Sequence, residues 1–258
     1  MICSLDRMED DPDLTAPQLW VNRTLEHMED AKTYGCNGLL GIHWRTRGVG
    51  PQIMAMAQKS WNTDLDSKTF WLDWATAQFG SAAGHAQSIA DVFVSVDSFL
   101  MPLVVTWKNG PGKFGPSAAN CGKTHTTFAF VPKLEAAGKG ITGDANKANF
   151  AYWLSTFKYM AAIAETSCAW AGYETAMKSV TGPASAKSIG IPARETLIGN
   201  MTEMIWQLQQ TLTNVGELGT CEWQLVLFCC RSHPSLSLSL SLSLSVSFLL
   251  RARCECEH

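Results

Sequence analysis

The chain has 258 residues (28.2 kDa), 46% of them hydrophobic, 10% aromatic and 17% charged, with a net charge of −3 and a pI near 6.1. That size suits one large domain or two small ones, and the acidic balance lacks the basic footprint that binding nucleic acid by phosphate neutralisation requires. No run of about 18 apolar residues is present to span a membrane, and ten Trp with 11 Phe exclude a disordered chain.

Thr15-Ala16-Pro17-Gln18 reads as a helix start, with Thr15 as the cap, Gln18 in the capping-box position and Pro17 in the first turn. Val21, Leu25, Met28, Ala31 and Tyr34 follow as a stripe at helical spacing, and Gly35 stands where a left-handed residue ends a helix. The apolar run Gly38–Ile42 then predicts a strand buried on both faces, as in parallel sheets. Helix, glycine stop and buried strand form the second half of a βαβ unit. The first five residues fit its opening strand poorly, so the chain is expected to begin inside a unit.

Polar clusters flank these elements. Glu9, Asp10 and Asp11 precede the helix, and His43, Trp44, Arg45, Thr46 and Arg47 follow the strand. Loops after the strands form the ligand face of parallel α/β folds. A carboxylate among the three acids can serve as a catalytic acid, base or nucleophile in glycoside hydrolysis, or simply favour a helix N-terminus. His43 can hold a proton or a sugar hydroxyl, Trp44 offers a flat face to a sugar ring, and Arg45 and Arg47 can fork onto an anion. Alternatively, Trp44 is core and the arginines pair with the acids.

From Pro51 the pattern is helical: Pro51–Trp61, Thr69–Phe79 ending at Gly80, residues 84–100, and Phe128–Ala137 after a Gly- and Pro-rich loop. A long helix runs from Asp144 towards Val180, with Gly172 as a bend point and Gly182-Pro183 as its stop. The last runs from Pro192 to Gly216, with Leu197, Met201, Met204, Ile205, Leu208 and Leu212 as its stripe. Trp71, Trp74, Trp153, Phe157 and Trp170 read as bundle core in preference to a sugar platform.

Other motifs carry less. Gly110-Pro111-Gly112-Lys113 and Asn120-Cys121-Gly122-Lys123-Thr124 lack the spacing of a phosphate loop. The four body cysteines do not suggest a disulfide framework, and Cys36 reads as core. Asn22-Arg23-Thr24 and Asn200-Met201-Thr202 match the N-glycosylation triplet, but both fall on predicted helices. No metal site is expected, since neither Cys254-Glu255-Cys256-Glu257-His258 nor Cys229-Cys230 with His233 has a second ligand pair at finger spacing.

Residues 221–258 differ from the rest. They hold five of the nine cysteines, and their three basic and three acidic residues cancel, leaving the whole charge on the body. Ser235–Ser245 alternates strictly between Ser and Leu, the strand period on an uncharged, aggregation-prone segment. Because TCT and CTC encode Ser and Leu, a TC dinucleotide repeat reads as this pattern. The tail is expected to be disordered or artefactual, translated non-coding sequence.

Taken in order, Met8-Glu9-Asp10-Asp11-Pro12, Leu14–Trp20 and Tyr34–Arg47 resemble the end of a glycoside hydrolase-type (β/α)8 barrel. Trp71-Leu72-Asp73-Trp74-Ala75, Gln78-Phe79-Gly80, Gly110-Pro111-Gly112, Tyr152-Trp153-Leu154 with Phe157–Met160, Ala193–Thr196 and Gly216–Thr220 resemble the helical region that follows such a barrel. The resemblance implies an α/β fragment, the last βα steps of a TIM barrel over residues 1–63, then a mainly α-helical domain over 64–220. It implies a carbohydrate substrate, no cofactor, and hydrolysis of a polysaccharide or oligosaccharide by an enzyme whose catalytic domain is incomplete here. Glu9, Asp10 and Asp11 would stand on its catalytic loop; His43, Trp44, Arg45 and Arg47 would touch sugar. The helical domain would pack on the missing barrel or another subunit. The alternative is a non-enzymatic helical interaction module. The sequence assigns no compartment.

Deleting residues 221–258 is expected to leave the melting temperature of the remaining chain unchanged in scanning calorimetry; a fall of more than about 4 °C would give the tail a structural role.

Overall fold

The computed structural model describes residues 2–7, 19–42, 48–80, 84–97, 115–116, 118 and 121–215, with residues 2–7 described by their backbone. The described elements belong to a compact unit, Met1–Asn214. Strand β1 (Ile2–Arg7) pairs in parallel with β2 (Gly38–Ile42), Leu5 opposite Leu40 and Arg7 opposite Ile42, and helix α1 (Val21–Thr33) connects them. The first residues therefore supply the strand that the sequence pattern failed to reveal, and a βαβ unit is present.

The barrel end is not. Among the described residues β structure is confined to this two-stranded sheet, and every other regular element is helical. The α/β, TIM-barrel reading is corrected to a mainly helical fold. Its basis also fails at residue level: the strand expected to be buried on both faces leaves Leu40 50% exposed. A short apolar run specifies a strand but not how many neighbours that strand has.

Helix α1 begins at Val21, since Leu19 and Trp20 are non-helical, and not at the predicted Thr15–Pro17 start. Its cap comes from far along the chain. The Asp97 carboxylate accepts the N–H groups of Val21 (3.1 Å) and Asn22 (2.9 Å), more than 70 residues away, and also the indole N–H of Trp71 (3.2 Å). The other end follows the sequence. Gly35 takes φ +68°, its N–H donates to the Lys32 carbonyl and that of Cys36 to the Ala31 carbonyl, the two bonds of a Schellman motif.

Helices α2 (Gly50–Trp61), α3 (Ser67–Phe79) and α4 (His85–Val96) follow. Asp66 caps α3 by accepting the Thr69 N–H (2.7 Å), which holds its carboxyl below the usual aspartate value. After the short α5 (Thr124–Thr127) come α6 (Phe130–Gly138) and the 35-residue α7 (Asp144–Lys178). A turn at Pro183–Ser185 and a π-helical segment lead into α8 (Ile191–Val215).

Aromatic rings hold α3, α4, α6 and α7 together. Phe93 on α4 is fully buried and packs against Trp71, Trp74, Trp153 and Phe157 at centroid distances of 4.9–5.8 Å. Phe130 on α6 joins through Phe157 (5.2 Å), and Phe79 reaches Phe150 (5.7 Å). Aromatic contacts of this kind, edge-to-face or tilted, add about 0.5–1.5 kcal/mol per pair to the burial term. Close approach at one end of α7 needs a glycine: a Cβ on Gly138 would strike the Phe150 ring. Helix α8 packs on α7 through Met204 and Leu208 against Tyr159, Ala162 and Ile163, and the Thr166 hydroxyl donates to the Asn200 carbonyl (3.1 Å).

The cysteines also depart from expectation. Cys121 and Cys168, 47 residues apart, form a disulfide that joins the segment before α5 to the middle of α7. Cys36, read as a packed thiol, is likewise disulfide-bonded. Spacing alone could not reveal the Cys121–Cys168 bond, because the two residues meet only once α7 has docked.

Three outcomes follow. Phe93→Ala is expected to destabilise the fold by about 3–5 kcal/mol in denaturant titration, and Asp97→Ala by about 1–3 kcal/mol through loss of the α1 cap and the indole acceptor. The Asp66 carboxyl is lowered by its bonds to Thr69, so its contribution is present above the unfolded value of 3.8 and is lost as pH falls through the folded value. Asp66→Ala should therefore cost about 1 kcal/mol at neutral pH and almost nothing in strong acid.

Candidate functional site

Glu9, Asp10, Asp11, His43, Trp44, Arg45 and Arg47, the residues that the sequence singled out, lie outside the described residues. What the structure does describe is a cleft of about 190 Å³ where α2, α3 and α7 meet, lined by Gly50, Pro51, Met54, Trp74, Gln78, Asn149 and Trp153. Its opening helix starts three residues after Arg47.

The cleft has a simple construction. Trp74 and Gln78 are four apart on α3, and Asn149 and Trp153 are four apart on α7, so each helix stacks one indole and one amide on the same face. The two indoles meet edge to face at 5.7 Å. The Asn149 amide N–H group points at the Gln78 side-chain oxygen (3.3 Å) and at the Gln78 carbonyl (3.5 Å), which locks both amides. Trp74 and Trp153 are 3% and 4% exposed, so they belong to the core and show the cleft only part of their rings.

The chemistry follows from this lining. Indole faces and edges accept the C–H side of a polar ring, while amides offer donors and acceptors. Among the described residues no carboxylate, imidazole, thiol or amine lines the cleft. The described lining can therefore bind and orient a neutral polar molecule. At about 190 Å³ it is smaller than drug-sized sites, which suits one small ring.

A second hollow of about 330 Å³ lies between α1, β2 and α2, beside Glu29, Asn37, Lys59 and Ser60. Both of its cations are committed to structure: the Lys59 ammonium donates to the Thr63 and Leu65 carbonyls and pairs with Glu29 at 3.5 Å, closing the end of α2, and Lys32 pairs with the same Glu29 at 3.8 Å. At the start of α4, His85 is 7% exposed and neither ring nitrogen has a hydrogen-bond partner among the described residues. It packs beside Gly140, where a Cβ would stand 3.0 Å from Nδ1.

Among the described residues no three His, Cys, Asp or Glu side chains are grouped to hold a metal ion, and no helix is long and apolar enough to cross a membrane. No protein-family model, no curated protein and no solved structure matches the chain.

Sequence reasoning found both tryptophans but not Gln78 or Asn149. The signal was available as two indole–amide pairs at helical spacing, but nothing in the linear order says that these two faces oppose each other. Trp153→Ala is expected to cost about 3–5 kcal/mol of stability in thermal or chemical unfolding, because the ring is core first. Substitutions at Gln78 or Asn149 are therefore the ones that separate binding from folding.

Proposed function

We propose that this chain recognises carbohydrate, with the cleft between α2, α3 and α7 as a sugar subsite of a glycoside hydrolase-like protein. The observation that carries the reading is convergence. Trp71–Ala75, Gln78–Gly80 and Tyr152–Leu154, three of the segments that resemble the helical region of such enzymes, contribute Trp74, Gln78 and Trp153 to one cleft. Indole and amide side chains in a small hollow are the side-chain types that recognise a sugar ring. In this reading hydrolysis needs a carboxylate from Glu9, Asp10 or Asp11, and His43, Trp44, Arg45 and Arg47 contact the substrate. The described residues bind the ring and supply no proton.

Titration of the purified chain with monosaccharides and short glucans, xylans and galactans, followed by tryptophan fluorescence, is expected to show saturable binding near about 1 mM for at least one sugar. Gln78→Ala with Asn149→Ala should weaken it by about tenfold or more without unfolding the protein. Absence of binding across the panel, or binding indifferent to both substitutions, would remove the assignment. Hydrolysis by the chain alone is not expected, and release of reducing sugar at ordinary enzymatic rates would contradict that part.

A second reading, a helical interaction module, rests on Ile198 and Trp206, which are 51% and 53% exposed on the side of α8 turned away from Met204. It expects residues 64–220 to fold alone and to associate through these two side chains; a molten or precipitating truncation would count against it.

A further inference from the structure

We propose that Asn22 carries an N-linked glycan and that the protein matures in an oxidising, glycosylating compartment. The juxtaposition behind this is a glycosylation triplet with an exposed acceptor amide in a chain where Cys36, Cys121 and Cys168 are disulfide-bonded.

The compartment comes first. Cys121 is joined to Cys168, and Cys36 is disulfide-bonded as well, so these three cysteines are oxidised. Structural disulfides form and persist in secretory and extracellular settings and are rare in reducing cytosol. The Cys121–Cys168 bond links α7 to a segment 47 residues earlier, and closing a loop of that length restricts the unfolded chain. A bond placed so is structural, one on which the helical unit depends.

In such a compartment the triplet Asn22-Arg23-Thr24 becomes a substrate. Asn22 stands in the first turn of α1 with its side chain exposed. Its Nδ2 donates to the Glu26 carboxylate at 2.7 Å, on the outer face of the helix. Glycosylation joins Asn22 Nδ2 to C1 of the first sugar of a polyprenyl-diphosphate oligosaccharide. The C1–O bond to phosphate breaks, the polyprenyl diphosphate leaves, and the amide gives up one proton. The remaining Nδ2 proton can keep the bond to Glu26. The backbone N–H of Asn22 stays on Asp97, so the cap of α1 does not oppose the modification.

The second triplet is the contrast. Asn200 is half-buried, its Nδ2 donates to the Thr196 carbonyl at 2.9 Å, and its own carbonyl receives the Thr166 hydroxyl across the α7–α8 seam. A glycan there would stand close to the seam that Met204 and Leu208 fill. Folded-state tolerance thus singles out Asn22.

The test is peptide mapping of the full chain isolated from its own cells, with thiols alkylated at lysis. The expected result is a cross-linked Cys121–Cys168 peptide and conversion of Asn22 to Asp when peptide-N-glycosidase removes the sugar. Unmodified Asn22, or alkylated Cys121 and Cys168, would overturn the proposal. In a eukaryotic secretion host, Asn22→Gln should abolish the glycosidase-sensitive mass shift, whereas Thr24→Ser, which keeps the triplet, should retain it. A shift that survives Asn22→Gln assigns the glycan elsewhere and also overturns the proposal, and secretion of both variants keeps that result separable from misfolding.

Discussion

The Asp97 carboxylate is the contact on which the arrangement of the described elements depends. It sits at the end of α4, one turn beyond Phe93, and binds the first two N–H groups of α1 and the Trp71 indole. One side chain thereby ties the βαβ segment to the aromatic bundle. Orphan amides at a helix start need an acceptor, and Trp20, at the cap position of α1, makes no side-chain cap bond. The carboxylate does this better than a neutral cap would, because it opposes the positive end of the α1 dipole and forms charge-assisted bonds.

Around that tether the bundle is built from rings. Phe93 touches aromatics from α3 and α7, and the contacts run on to α6 through Phe157 and Phe130. Rings of this size leave little void when they meet edge to face, yet three converging helices cannot close perfectly. The cleft beside Trp74 and Trp153 is where they fail to close. Its amides hold each other, so the hollow is a preorganised polar edge on an apolar core. Binding there would draw on geometry already present for stability, which is why indole substitutions act on folding before they act on recognition.

The disulfides give the same unit a second kind of constraint. The aromatic contacts act in the folded state; the Cys121–Cys168 bond acts chiefly by restricting the unfolded one. It joins α7 to the short 3-10 turn Cys121–Lys123 that leads into α5. Oxidation and an exposed triplet asparagine point to one environment, although each arises from a different part of the chain.

Much of the helical content was legible from spacing. The helices expected over 69–79, 84–100, from 144 towards 180 and 192–216, with the glycine stops at Gly35 and Gly80, coincide closely with α3 (Ser67–Phe79), α4 (His85–Val96), α7 (Asp144–Lys178) and α8 (Ile191–Val215). Local periodicity and backbone freedom determine these, and both are written in consecutive residues. The misreadings share one cause. Gly38–Ile42 looked like a strand between neighbours on both sides, the first helix as though it began at Thr15–Pro17, and Cys36 like a packed thiol. Each of those judgements concerns what stands opposite, not what stands next. Partners for a strand edge, a helix start, a thiol or an amide are chosen by long-range docking, so the sequence determined which helices form and where several of them stop. The tertiary structure alone decided that the sheet has two strands, that Asp97 caps α1, that Cys121 meets Cys168, and that two indole–amide faces enclose one cleft.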